Sequence, residues 1–251
     1  MFRKKICVAN WKMNKNFIES NDFLKKISQK DLSSNSCELV ICPSYDSLFL
    51  FNKFNFQFSL GAQDVSYLNS PSSTGEISVD MLTSHNCEYV IIGHSERRSL
   101  CQETSSIVSL KAVKAISAGL KVIICIGENS KDREKGDYLF VLEEQLKQSL
   151  FDLSSDNNLL SNNIIIAYEP VWAIGTGNTA SKKDIEEVHK FIKEIINTNY
   201  QFNYDLPILY GGSVNSKNSS EIFKINNVDG VLVGGASLKS DEFLKIIKNS
   251  M

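Results

Sequence analysis

Along this chain of 251 residues, short apolar runs alternate with longer stretches in which apolar residues return every third or fourth position. The runs are Ile6 to Ala9, Leu39 to Cys42, Phe58 to Ala62, Tyr89 to Ile92, Val122 to Ile126, Ile164 to Tyr168, Pro207 to Tyr210 and Val231 to Val233, about eight in all. They are rich in β-branched residues and mostly unbroken by polar positions, which predicts parallel strands covered on both faces. The stretches between them predict amphipathic helices: Thr104 to Ala118, Lys182 to Ile196, and Asp137 to Leu153, where Leu139, Leu142, Leu146 and Leu150 make one stripe. Lys, Glu and Ser on these helices are expected on the opposite, solvent side. Ser181, followed three residues later by Asp184, is a start signal for its helix.

Strand and helix alternate about eight times with no Pro/Gly/Ser-rich linker to divide them. This predicts a single domain over residues 1–251, of α/β class, in which right-handed βα units close into a parallel (β/α)8 barrel. An open, doubly wound sheet is the rival arrangement. A domain of this length buries roughly three quarters of its unfolded-chain surface, so a large core is available. Hydrophobic residues at 42% and charged residues at 22% exclude a disordered or fibrous chain.

Charge narrows the partners. Lys and Arg number 27 against 29 Asp and Glu, a net charge of -2, so no global field draws nucleic acid or anionic lipid and any anion site must be local. The start, Met1-Phe2-Arg3-Lys4-Lys5, leads into a strand without a signal-peptide run, and no segment is long enough to cross a bilayer, so a cytoplasmic protein is expected. The six cysteines, Cys7, Cys37, Cys42, Cys87, Cys101 and Cys125, are accordingly expected to be reduced thiols. Neither Cys-x-x-Cys nor His-x(3–5)-His spacing occurs, and no metal is expected.

The polar residues that do not fit a core fall just past the strand ends: Asn10 and Lys12, Gln63 and Asp64, His94, Glu128, Glu169, Gly211-Gly212-Ser213, and Gly234-Gly235. In a parallel barrel those ends share one mouth, where loops converge on a rigid wall. Each Gly-Gly pair, taken alone, suits a tight turn. Two pairs after the last two strands instead suit an anion held by backbone N–H groups, and so a phosphorylated small molecule. Lys12 is either a solvated lysine or a cation aimed at that anion. Glu96 is either its counter-ion or a helix-capping acid.

His94 lies in "IIGHSERR", where Ser95 and Glu96 can open a helix. A helix start disfavours the imidazolium, so a neutral ring that donates to a substrate oxygen is expected. His85 and His189 sit in ordinary helical sequence and are expected to be packed or solvated. "GHSER" lacks the last glycine of a G-x-S-x-G nucleophile elbow, and acyl transfer is rejected.

In "NIIIAYEPVWAIGTGNTA" an apolar strand ends on the carboxylate of Glu169, which is costly in a core unless paired or used. The residues after it, Pro170, Val171, Trp172, Ala173, Ile174, Gly175, Thr176, Gly177, Asn178, Thr179 and Ala180, have the form of a lid: a stiff hinge, an apolar tip and a glycine-rich return. Closure of such a lid would desolvate Glu169 and raise its pKa, making it a stronger base. The plainer reading has Trp172 and Ile174 packing over the barrel end.

"ANWKMN", "IIGHSERR", "CIGE", "AYEPVWAIGTG" and "YGGSV", in this order and over nearly the whole chain, resemble the triosephosphate isomerase family. The resemblance implies a TIM barrel and a cofactor-free, metal-free interconversion of dihydroxyacetone phosphate and glyceraldehyde 3-phosphate. It implies Glu169 as the base, neutral His94 as the electrophile, Lys12 and Asn10 stabilising an enediolate, and Gly175, Ser213, Gly234 and Gly235 gripping the phosphate. It also implies a homodimer in which Thr74-Gly75-Glu76 inserts beside the partner near Met13. The chain departs from the family pattern at Cys101-Gln102, where Phe-Gly is usual, and at Asn178, where Lys is frequent.

Two other functions stay in view. One is a barrel lyase or synthase for a larger phosphosugar, which the short lid disfavours. The other is a non-catalytic phosphate-ligand binder, which has no use for Glu169 and His94 together.

Overall fold

The strands form where the apolar runs lie: β1 Ile6–Asn10, β2 Glu38–Cys42, β3 Ser59–Ala62, β4 Cys87–Ile92, β5 Lys121–Ile126, β6 Ile164–Tyr168, β7 Ile208–Tyr210 and β8 Gly230–Val233. In this computed structural model, which describes residues 4–30, 32, 37–54, 57–154, 163–174, 179–200, 202 and 204–250, each strand pairs in parallel with the next and β8 returns to β1. The result is the closed (β/α)8 barrel, and the open-sheet rival is excluded. Alternation sorts the side chains: Ile6, Val8, Val40, Ile91, Ile123, Ile165 and Leu232 fill the barrel, while Cys7, Ile41, Val122 and Ile166 face the helices. Burial on both faces is why the runs are continuously apolar. At the seam, a Cβ on Gly230 would come within 2.0 Å of the Ile6 carbonyl oxygen, so only glycine lets β8 close on β1.

The helices are α1 Phe17–Ser28, α2 Val79–Ser84, α3 Ser95–Leu100, α4 Ser105–Ser117, α5 Ser130–Lys135, α6 Tyr138–Ser149, α7 Phe151–Ser154, α8 Lys182–Asn199, α9 Ser219–Phe223 and α10 Ser240–Lys248. Ser181 and Asp184 form the expected capping box, and Thr104 caps α4 by accepting the Ile107 N–H. The single helix predicted over residues 137–153 is instead two, parting at Leu150. There the Asp152 N–H leaves the helical ladder and donates to Ser109 Oγ of α4 at 3.0 Å, while Leu142, Leu146 and Leu150 stay buried. Each of those leucines contributes about 2 kcal/mol by burial.

The solvent stripe predicted on α4 needs a second correction. Lys111 is buried, with Nζ donating to both oxygens of Asp64 at 2.7 and 2.8 Å and to Glu103 Oε2 at 2.6 Å. Arg97 Nε, 2.8 Å from each carboxylate, completes the cluster beside the end of β3. Removing one member would leave an unpaired charge in the core.

Candidate active site

Asn10 ends β1, His94 follows β4 by two residues and Glu169 follows β6 directly, so strand geometry alone puts all three on one rim. A cavity of about 640 Å³ opens there, lined by Asn10, Lys12, His94, Ser95, Glu96, Glu169, Val171, Ile174, Ser213, Gly234 and Gly235 among others. Residues from the ends of five strands thus meet, as the mouth argument requires. Val214, which closes "YGGSV", and Leu232, within the eighth apolar run, also line it, as do Ser99, Asn215 and Ala236, which nothing in the linear pattern singled out.

Glu169 is buried between two donors. Its Oε2 accepts the Ser95 N–H at 2.8 Å, and its Oε1 lies 2.9 Å from His94 Nε2. Burial pushes its pKa up, but His94, the Ser95 N–H and Lys12 together outweigh burial and hold it below the ordinary carboxylate range. The rise expected from the lid is therefore not the condition of this arrangement: the carboxylate is dry yet well paired. His94 answers in the opposite sense. Burial lowers its pKa, and the adjoining Glu169 carboxylate raises it by more. The helix start alone would have kept the ring neutral, and a partner 74 residues away in sequence from Ser95 supplies the opposing pull. One local feature favours the neutral form: the Glu96 N–H donates to His94 Nδ1 at 3.2 Å, which leaves Nε2 as the protonated nitrogen of a neutral ring.

Lys12 adopts φ 52°, a left-handed backbone unusual for a lysine. Its N–H donates to Asn10 Oδ1 at 3.0 Å, and its carbonyl accepts from Gln63 Nε2 at 2.9 Å, which also reaches the Cys42 carbonyl at 3.1 Å. These bonds hold the loop against the strain. Lys12 Nζ donates to Glu96 Oε1 at 2.6 Å, so Glu96 is its counter-ion rather than only a capping acid. A Cβ on Gly234 would lie 3.3 Å from Lys12 Cε, so the second glycine pair stands beside the amine. The two pairs lead into different structure: Gly235 begins a 3-10 turn through Leu238, whereas α9 starts only at Ser219, well past Ser213.

In the segment expected to form a lid, Pro170 leads into a short 3-10 turn, Val171–Ala173. Gly175, Thr176, Gly177 and Asn178, including the expected phosphate residue Gly175, lie outside the described residues. Thr179 is exposed and Ala180 buried. Trp172 Nε1 donates to Glu128 Oε1 at 2.8 Å, as does Tyr168 Oη at 3.0 Å. Arg133 stacks over the Trp172 ring, 5.1 Å from its centroid, and bonds Asp184 Oδ1 at 3.0 Å. Burial drives the Glu128 pKa above its usual range, with these donors only partly countering it. Sequence reasoning noted Glu128 as a strand-end carboxylate but missed its bond to Trp172. Its place after β5, beside a strand ending in Tyr168 and a turn carrying Trp172, was the available signal.

A closed parallel barrel with a carboxylate, an imidazole and an amine gathered at its C-terminal mouth defines a barrel enzyme. The family model described as triosephosphate isomerase matches residues 5–250. The chain is 42% identical over 251 residues to the triosephosphate isomerase of Dictyoglomus thermophilum, covering 98% of this chain and 100% of that one. It is 39% identical over 249 residues to that of Flavobacterium johnsoniae, covering 98% of each chain, and 42% identical over 248 residues to that of Lawsonia intracellularis, covering 97% of each. The chain belongs to the triosephosphate isomerase family, and it is an isomerase. Among the described residues, no helix is long and apolar enough to cross a membrane.

Proposed function

We propose that this protein interconverts dihydroxyacetone phosphate and D-glyceraldehyde 3-phosphate through an enediolate, with neither metal nor cofactor taking part. The observation that carries this reading is the contact of Glu169 Oε1 with His94 Nε2 at 2.9 Å in the cavity that Lys12 and the glycine pairs also line.

Glu169 takes the proton from the carbon next to the carbonyl. To reach it, the carboxylate leaves Ser95 and His94, sheds the donors that hold its pKa down, and becomes a stronger base in a dry site. His94 Nε2–H, released from Glu169, donates to the substrate oxygens as negative charge builds on them. Lys12 Nζ and the Asn10 side chain stabilise that charge. Gly175, Ser213, Gly234 and Gly235 hold the phosphate by backbone N–H groups. Closure of the segment Pro170 to Ala180 expels water and suppresses loss of phosphate from the intermediate.

The working unit is a homodimer, with Thr74, Gly75 and Glu76 reaching the partner near Met13, and its place is the cytoplasm, where phosphorylated trioses are at hand. Support for the dimer comes from Met13, 98% exposed beside the mouth, and from the exposed loop at Thr74.

A coupled assay with glyceraldehyde 3-phosphate tests the activity. Glu169→Gln keeps the shape of the side chain and removes its basicity, and should lower turnover at least about a hundredfold. Near-normal turnover by that variant refutes the role of Glu169. A wild-type protein that binds the triose phosphate without converting it refutes the enzymatic reading.

A further inference from the structure

On the outer face of the barrel wall, Cys7 and Cys37 bring their sulfur atoms to 3.1 Å. Cys7 is the second residue of β1, and Cys37 occupies the bend before β2, whose Leu39 pairs with Cys7. Strand alternation puts Cys7 and Leu39 on the helix-facing side, and Cys37, at the bend just before β2, joins them in the outer core. Cys7 is fully enclosed, whereas Cys37 is 9% exposed. Asn10 lies three residues further along β1, about 10 Å away at the strand rise, so the pair stands apart from the candidate active site. A disulfide needs about 2.05 Å between sulfurs, so closing this one moves them by about 1 Å. Cys37 sits at a bend outside the ladder, where the backbone can supply that movement.

We propose that Cys7 and Cys37 form a two-thiol oxidation site that takes a peroxide as co-substrate and closes a reversible disulfide between the first two strands. Cys37 reacts first. It is the less enclosed of the two residues, and its contact with Cys7 lowers its pKa while the Cys7 thiol, held by Cys37 and burial, is raised. The Cys37 thiolate attacks one peroxide oxygen; the O–O bond breaks, leaving a sulfenic acid on Cys37 and a hydroxide that picks up a proton to become water. The Cys7 sulfur then attacks Cys37 Sγ, the S–O bond breaks, and the departing hydroxide takes the Cys7 proton as a second water. Two thiols thereby give up two electrons, and the peroxide is reduced to two waters. The bond joins positions 30 residues apart and encloses the Asn10–Lys12 loop and α1, so it restrains the unfolded chain over a long loop.

The full-length protein is treated with hydrogen peroxide, remaining thiols are blocked, and unreduced digests are mapped by mass spectrometry. The expected product is a Cys7–Cys37 linked peptide pair, lighter than its two parts by two hydrogens and separated by dithiothreitol. The oxidised protein should melt several degrees above the reduced one, with turnover changed less than about twofold. Cys7→Ser and Cys37→Ser should each lose both the link and the shift. Exposed Cys101 serves as the internal reference for oxidation. Oxidation of Cys101 with no linked Cys7–Cys37 pair overturns the proposal, as does a link that forms only in urea. The mapping of the wild-type chain decides the matter even where a serine variant fails to fold.

Discussion

Gln102 stands where the family commonly has glycine, and its backbone shows why: φ is 54°, in the left-handed region that a side chain disfavours. Gln102→Gly should relieve that strain and stabilise the fold by up to about 1 kcal/mol, part of the gain being offset by the freer unfolded chain. A shift of the urea midpoint to higher concentration checks this; an unchanged or lower midpoint would mean the bend is held for another reason. His189 presents a different single-residue effect. It is enclosed, donates from Nδ1 to the Asn227 carbonyl at 2.9 Å, and burial lowers its pKa to about 4. The unfolded chain therefore binds a proton that the folded one refuses between roughly pH 6.5 and 4. Stability from this group is complete above the ordinary histidine value and is lost as pH falls through that window, a loss on the order of 3 kcal/mol. Urea unfolding at pH 7 and pH 4.5 should show a smaller acid loss for His189→Gln than for the wild type. Equal losses would assign the acid sensitivity elsewhere.

Between elements, the decisive contact is where the end of β5 meets the end of β6. Glu169 is anchored there by its N–H on the Ile126 carbonyl at 2.8 Å, and the Val171 N–H reaches the Glu128 carbonyl at 3.1 Å. A Cβ on Gly127 would come within 2.0 Å of the Glu169 carbonyl oxygen. Gly127→Ala must therefore push Glu169 and Val171 off the barrel. We expect turnover at least tenfold lower, since a displacement of about 1 Å is costly in a positioned site, with a lowered melting midpoint. Wild-type turnover in a folded Gly127→Ala protein would show that the β5–β6 junction tolerates movement. The same junction explains why Glu128 is fully buried: its carboxylate collects Tyr168 from the strand, Trp172 from the 3-10 turn after it and Arg133 from α5 in one place.

For the molecule as a whole, the barrel leaves apolar groups uncovered: Met13 is 98% exposed, and Phe17 and Phe49, stacked at 5.6 Å between ring centroids, are each about two fifths exposed. A second copy of the chain is the occupant we expect, so sedimentation velocity at micromolar concentration should return twice the 28.1 kDa chain mass. A single-chain mass under those conditions counts against the dimer and against the roles given to Thr74, Gly75 and Glu76.

The amino-acid order by itself determined the eight strands to within a residue or two, the cap of α8, and the gathering of Asn10, His94, Glu169 and the glycine pairs at one mouth. Those features come from local periodicity and from the geometry of parallel closure, both of which a linear pattern carries. The tertiary structure alone decided who pairs with whom: Lys12 with Glu96 across 84 positions, Lys111 with Asp64 across 47, Trp172 with Glu128 across 44. It also decided the direction in which each buried group titrates, turning Glu169 down and His94 up against the expectation from their flanking residues. Hydrogen bonds and charge interactions in a dry interior depend on distances of a few tenths of an ångström, and packing between distant segments sets those distances.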